Sequence, residues 1–342
     1  MSVTLAGSKT RWTVLLAVTA LVLVVAGIYA VGAYQRFEES RTAASSVGVT
    51  AGQSLPNGPF VLFRNTASGQ GYGSAATVAL SAPGGPRAVS EQECDRVYGT
   101  AQNVVCLKTN RGLVTSFEAA VLDRDWNIQR SWALPGIPSR ARLSGDGSMI
   151  ATTVFITGHS YAASGFSTAT EISLPGGTSG NLEDFALLVN GERLAATDRN
   201  IWGVTFAPGQ SDVFYATAAS SGRIWLVRGS LSAKTLTAIH DQVECPSISP
   251  DGTRIAYKKN DGGGLVAHWK VAVLDLASGQ ESVLSEQRSV DDQIEWLDGK
   301  NLLYGLPDDA VEGDSNIWQL GTEPGSQPSL FIAHAWSPSV VR

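Results

Sequence analysis

Residues 245–257 read Cys-Pro-Ser-Ile-Ser-Pro-Asp-Gly-Thr-Arg-Ile-Ala-Tyr, and this stretch decides the fold. At its centre Ser249-Pro250-Asp251-Gly252 is a tight turn. Proline presets φ, aspartate bonds back to the backbone, and glycine accepts a positive φ. Short apolar segments flank the turn on both sides, so the unit is a β-hairpin. The same logic recurs in degenerate form. Residues 142–151 read RLSGDGSMIA, 204–216 read VTFAPGQSDVFYA and 294–304 read IEWLDGKNLLY, while 335–341, AWSPSVV, begin a further copy and stop after its first strand.

The turn glycines at 147, 209, 252 and 299 are separated by 62, 43 and 47 residues. A period near 40–50 with several strands per unit is the spacing of propeller blades. A second hairpin completes the unit, clearest in residues 269–276 and 280–284. The long first spacing predicts an insertion near residues 156–170. At the start of the array, residues 60–64 and 77–80 lack an inner strand, and the C-terminal 335–341 supplies one without a continuation. The last strand is therefore expected to close the ring within the first blade and remove an open edge. The expected fold is an all-β, six-bladed β-propeller over residues 59–342. Its blades are expected at 59–84 with 335–341, 85–137, 138–198, 199–241, 242–287 and 288–334. The second blade has no clear copy of the motif.

Composition agrees with many short strands and tight turns. There are 36 Gly and 14 Pro, and only 16% of residues are charged, against about 25% in an average globular protein. The net charge is −6 with no long basic run, which argues against nucleic acid as a partner.

Residues 12–34, WTVLLAVTALVLVVAGIYAVGAY, carry no charge. As a helix they span roughly 34 Å, enough for a hydrocarbon core of about 30 Å. Trp12 and Tyr34 stand at the two ends, where amphipathic rings favour the interface. Lys9 and Arg11 precede the segment. This predicts a cytoplasmic N-terminus (1–11), one transmembrane helix (12–34), a flexible linker (35–58) and a propeller on the extracytoplasmic side of the cell membrane. A cleaved signal peptide is the rival reading, with Val31 and Ala33 as acceptable small residues. Both readings place the residues after 40 in the same compartment.

Cys94 and Cys106 flank a turn-like Gly99–Asn103 between two β-prone pieces, so in an oxidising compartment they form a plausible disulfide across a hairpin. Cys245 is left over among apolar, strand-like residues and reads as a buried free thiol. With no C-x-x-C spacing, a zinc or redox site is not expected.

The repeat resembles the WD40-like propeller repeat of the TolB family over most of residues 59–342. The layout looks more specifically like actinobacterial membrane-anchored TolB-like proteins. That narrower likeness is carried by Trp202–Phe206, Val243–Ala256, Ala272–Leu276, Ser289–Asp298 and Gly158–Tyr161. TolB has an additional α/β domain and works with envelope partners. This chain shows an apolar segment where that domain would stand, so the resemblance implies the fold and not the role in the Tol–Pal system.

Chemistry-bearing motifs are few. Gly158-His159-Ser160-Tyr161-Ala162 approaches a nucleophile elbow but lacks the last glycine and a following helix, so a surface loop is expected. The four histidines, 159, 240, 268 and 334, show no triad. Asp291, Asp292 and Glu295 are paired carboxylates that could bind a cation or do acid–base work. In a propeller they read more simply as a solvated rim. Asp308, Asp309, Glu312 and Asp314 lack the full EF-hand loop, and Gly262–Gly264 lacks the lysine and helix of a phosphate loop. Trp202, Trp225, Trp269, Trp296, Trp318 and Trp336 recur at similar places in the blades. They are expected to pack between blades, with a ligand-stacking rim as the minor reading.

No catalytic, cofactor or metal site is expected. The leading expectation is a non-catalytic module that binds an envelope protein or cell-wall component. An enzyme of the lyase or hydrolase kind would show His, Asp, Glu or Arg converging on the channel, and an apolar or plugged channel would count against it. A carbohydrate or small-ligand sensor would use rim tryptophans.

Overall fold

The computed structural model describes residues 6–156, 167–262 and 267–342. The chain divides into two units, one built on residues 1–46 with 68–70, the other on 47–67 with 71–342.

The first unit holds helix α1, Ala6–Thr42. Within it Thr10–Gln35 has a mean hydropathy of 2.8 and no buried residue, so it is long and apolar enough to cross a membrane. The helix runs on past Tyr34, through residues expected in the linker. Gln35, Arg36, Glu38, Glu39 and Arg41 are good helix formers and carry it to Thr42, whose hydroxyl donates to Glu38 O at 2.9 Å.

The second unit is an all-β, six-bladed propeller. Blade 1 contains β1 (Val49–Ala51), β2 (Phe60–Asn65), β3 (Ser74–Ala79) and β4 (Arg87–Glu93). Blade 2 has β5 (Arg96–Gly99), β6 (Val104–Asn110), β7 (Ser116–Leu122) and β8 (Ile128–Leu134). Blade 3 has β9 (Ile137–Leu143), β10 (Ile150–Ile156), β11 (Ser167–Leu174) and β12 (Gly177–Asn181). Blade 4 has β13 (Ala186–Val189), β14 (Glu192–Arg193), β15 (Asn200–Phe206), β16 (Val213–Ser220), β17 (Arg223–Ser230) and β18 (Thr235–Asp241). Blade 5 has β19 (Glu244–Ile248), β20 (Arg254–Asn260), β21 (Trp269–Asp275) and β22 (Glu281–Val283). Blade 6 has β23 (Glu295–Trp296), β24 (Asn301–Pro307), β25 (Ser315–Gly321) and β26 (Ser329–Ile332). The last strand, β27 (Ala335–Val341), pairs antiparallel with β2, Phe60 opposite Val341 and Leu62 opposite Ser339. The expected closure is therefore present.

Three boundaries differ from expectation. β4 pairs with β3 and belongs to blade 1. β13 and β14 belong to blade 4, where β13 runs parallel to β18 and covers its outer edge. They take up part of the long first spacing. Of the stretch expected as a linker, β1 runs parallel to β4 at the outer edge of blade 1, and Leu55 is buried in the core. Arg124 holds that segment by donating to Leu55 O, Pro56 O and Asn57 Oδ1. Both additions cover strand edges that would otherwise offer unpaired backbone groups.

The repeated turn behaves as its residues demand. Gly252 has φ 74° and donates to Ser249 O at 2.9 Å, while Asp251 Oδ1 accepts from Thr253 N at 3.1 Å. Arg254 N closes the turn on Ser249 Oγ at 3.0 Å. Blade 3 repeats the arrangement with Ser144, Asp146 and Gly147, Met149 N donating to Ser144 Oγ at 2.9 Å. In blade 2 the Thr100 hydroxyl accepts from Gln102 N and Asn103 N instead. One hydroxyl does the work of the serine–aspartate pair, which is why no copy of the motif is readable there.

Among the described residues there is one core per blade interface, six in all. Strand β2 shows why. Phe60 and Leu62 pack towards blade 2, while Val61 and Phe63 pack towards blade 6. Alternate side chains leave opposite faces of a strand, so a blade is apolar on both faces. The Cys94–Cys106 disulfide lies in the blade 1–blade 2 core and joins the connection between β4 and β5 to strand β6, with a Cα–Cα distance of 5.4 Å.

Removing residues 335–342 should expose β2 and open two cores. The expected outcome is loss of a single cooperative thermal transition, with aggregation on heating, followed by circular dichroism and light scattering. A truncated chain that melts like the parent would show that β27 is not needed for closure.

Candidate channel-mouth site

The inner strands β27, β5, β9, β15, β19 and β23 face the propeller axis. Arg142 on β9 reaches across it. Its guanidinium pairs with Glu295 of blade 6 and donates to Ile294 O at 2.6 Å and to Ser247 Oγ of blade 5 at 3.1 Å. Blades 3 and 6 stand opposite each other in a six-membered ring, so this pair crosses the channel and blocks it. Tyr98 of blade 2 donates to Glu295 Oε1 at 3.3 Å, and its ring lies under the Arg142 guanidinium at 4.6 Å. Val340 N of β27 completes the set at 3.3 Å from Glu295 Oε1. Burial, reinforced by Glu295, pushes the Tyr98 hydroxyl up to about 12.

Nearer the mouth, Arg96 pairs with the buried Asp292 at 3.1 Å, and Asp292 Oδ2 accepts from Gly305 N at 3.0 Å. Between these residues and Arg142 only about 10 Å³ of free space is left. Beyond the constriction a recess of about 400 Å³ opens. Arg96, Arg140 and Lys258 bring positive charge to its wall, Glu244 and Asp291 bring carboxylates, and Trp202, Trp269 and Phe155 bring aromatic faces. This size and mixture are those of small-ligand sites. Lys258 pairs with Asp291 and lies 4.6 Å from the centre of the Trp269 ring.

Electrostatics follow from burial. Arg96 is lowered to about 10, first by desolvation and then by its neighbour Arg140. Desolvation holds the Glu244 carboxyl up at about 7, with Asp291 adding to the rise and Lys258 opposing it.

Local backbone geometry builds the recess. β-Bulges interrupt the pairing of β15 at 202–205 and of β19 at 244–247. Gly203 at φ 67° and Cys245 at φ 49° sit in these bulges. A Cβ on Gly203 would lie 2.7 Å from Cys245 Cα, so only glycine permits the two inner strands to approach this closely. The bulges re-aim Trp202 and Glu244 towards the recess, a known use of this irregularity.

The acidic triplet is thus not a solvated rim. Asp292 and Glu295 are buried in ion pairs, and only Asp291 is exposed. Their arginine partners come from other blades, and no local sequence signal links them. Of the acidic loop at 308–314, Asp308 caps Ala310 N, while the buried Asp314 accepts from Thr66 Oγ1 and joins His334, stitching blade 6 to blade 1. Among the described residues no group of three His, Cys, Asp or Glu could hold a metal ion. His268 pairs with Asp261 at 2.9 Å, and His240 Nδ1 lies 2.8 Å from Asp241 O, so neither reaches the channel-crossing pair. The segment 158–162, with His159, and most of Gly262–Gly264 lie outside the described residues.

Cys245 is a buried free thiol, as expected, but it also lines the recess. Trp225 and Trp296 are buried between blades. Among the described residues, Trp132, Trp225, Trp269, Trp296, Trp318 and Trp336 each lie under an arginine or lysine. Packing accounts for most of them, while Trp202 and Trp269 reach the recess.

The propeller is similar to TolB from Acinetobacter baumannii, at 14% identity and a TM-score of 0.56, over 84% of this chain and 68% of that one. The likeness establishes a TolB-like propeller fold. A putative TolB from Agrobacterium tumefaciens matches at 10% identity and a TM-score of 0.48, over 82% and 90% of the two chains. An oligogalacturonate lyase in complex with manganese matches at 10% identity and 0.45, over 74% and 72%. No protein-family model and no curated protein matches the sequence.

Two outcomes test this account. Arg142→Met should cost about 3–5 kcal/mol in urea unfolding, because it leaves a buried Glu295 unpaired. The double change with Glu295→Leu should recover most of that loss. The Glu244 carboxyl, raised from 4.5 to about 7, favours folding below its ordinary value and loses that contribution as pH rises through 7. The melting temperature of Glu244→Gln should therefore gain on that of the parent between pH 5 and pH 8. An offset that does not change with pH would show that Glu244 titrates normally.

Proposed function

We propose that this chain is a single-pass membrane protein whose propeller stands on the extracytoplasmic side. There it works as a non-catalytic binding module for an envelope protein or cell-wall component. The observation that carries the non-catalytic reading is the Arg142–Glu295 pair crossing the axis. Arginines and carboxylates do converge on the channel, but the deepest of them are spent on one another and on backbone groups, which closes the route through it. The recess outside that plug is where a ligand can enter.

Sidedness is supported by two features. Lys9 and Arg11 precede the apolar stretch of α1, the charge bias of a segment whose N-terminus stays in the cytoplasm. A disulfide within the blade 1–blade 2 core suits an oxidising compartment. A small-ligand sensor is a second reading, favoured by Trp202 and Trp269 at the recess.

Compartment and role can be checked together. Protein trapped in acid from growing cells and alkylated under denaturing conditions should show Cys245 as its one free thiol. Three free thiols would place the propeller in a reducing compartment. Cross-linking in intact cells should recover an envelope component bound to the full-length chain. Chemical change in that component on incubation with the purified chain would overturn the non-catalytic reading.

A further inference from the structure

Arg140 is the exception among the channel cations. It is nine-tenths buried on β9, where Nη1 donates to Ser139 O at 2.9 Å. Its Nη2 comes no nearer than 4.0 Å to Asp291, and Nε has no hydrogen-bond partner among the described residues. Arg96 is committed to Asp292 and Lys258 to Asp291. Arg140 therefore shares Asp291 with Lys258 at the long distance of 4.0 Å, and its positive charge in the recess is only partly answered. A guanidinium cannot escape that cost by losing its proton, because its pKa lies too high. Its planar fork matches a carboxylate or a phosphate.

The rest of the wall narrows the choice. Glu244 and Asp291 stand in the same recess and repel a second negative charge, so a monoanionic carboxylate fits better than a phosphate dianion. Their oxygens can accept from hydroxyl groups. Trp202 and Trp269 offer flat apolar faces to a ring. About 400 Å³ accommodates a molecule of monosaccharide size.

We propose that the recess binds a sugar acid, with its single carboxylate on Arg140, its ring against Trp202 and Trp269, and its hydroxyls towards Glu244 and Asp291. This rests on the reading of the propeller as a binding module and names the chemistry of what it binds.

The test is calorimetric titration of the full chain in detergent with glucuronate, glucose and glucose 6-phosphate. Glucuronate should bind saturably, and at least roughly tenfold more tightly than either of the others, since a hydrogen bond to a charged group is worth at least that factor. Arg140→Gln should lose roughly tenfold in glucuronate affinity. At pH 8.5, where the Glu244 carboxyl is ionised, Glu244→Gln removes a repelling charge and should bind glucuronate more tightly than the parent. Equal binding of glucose and glucuronate, a preference for the phosphate, no saturable glucuronate binding, or a folded Arg140→Gln with parental affinity would each overturn the proposal. If Arg140→Gln does not fold, the ligand series and Glu244→Gln still decide it. Failure here together with a recovered envelope partner would leave the binding-module reading intact. Conversion of glucuronate observed by NMR would overturn the non-catalytic reading and leave the carboxylate site standing.

Discussion

Everything in the propeller depends on the pairing of Phe60–Asn65 with Ala335–Val341. Each blade is apolar on both faces, so no blade has a dry side until it has two neighbours. A linear array of such blades would end in two exposed apolar faces. Closure converts those two faces into the sixth core, where Ala335 and Val340 meet Leu303, Ile317 and Ile332. Ser339 carries the closure inward, exchanging hydrogen bonds with Gly99 N and O on the neighbouring inner strand. Because the contact joins residues near the two ends of the propeller unit, it can form only after the whole array is present.

Closure has a second consequence at the axis. Six inner strands converge on a narrow column that leaves only about 10 Å³ free at its constriction and is too polar to pack as hydrocarbon. The chain fills it with ion pairs between blades, Arg142 with Glu295 and Arg96 with Asp292. Buried pairs of this kind add little net stability when compared with apolar residues, because desolvation offsets most of the attraction. Their value lies in geometry. The two pairs tie blades 2 and 3 to blade 6 across the axis. Arg140, one alternate residue before Arg142 on the same strand, lines both the constriction and the recess and meets a carboxylate only at 4.0 Å, on Asp291.

Little of this column was legible beforehand. Asp291, Asp292 and Glu295 stand out as a cluster in one segment, and their burial is the reverse of what a charged cluster in a loop ordinarily implies. Arg96, Arg140, Arg142 and Lys258 are spread over three strands, β5, β9 and β20, with nothing local to mark them. The hairpin turn, by contrast, was legible down to the atom. Serine, aspartate and glycine close it by contacts within five residues of one another, so each copy carries its own instructions. Where a different hydroxyl does the same work, at Thr100, the blade is present and its motif is not.

The sequence by itself determined the apolar helix, the repeating hairpin, the blade period, the closing strand and the Cys94–Cys106 bridge. Each of these rests on hydropathy, on turn chemistry or on a regular spacing along the chain, which are local properties. Only the tertiary structure decided that β1 and β13 cover blade edges, that the acidic triplet faces the axis, and that a recess with a partly unanswered arginine opens at its mouth. Those features come from residues far apart in the chain, 153 positions between Arg142 and Glu295 and 196 between Arg96 and Asp292, and a closed ring is what makes them neighbours.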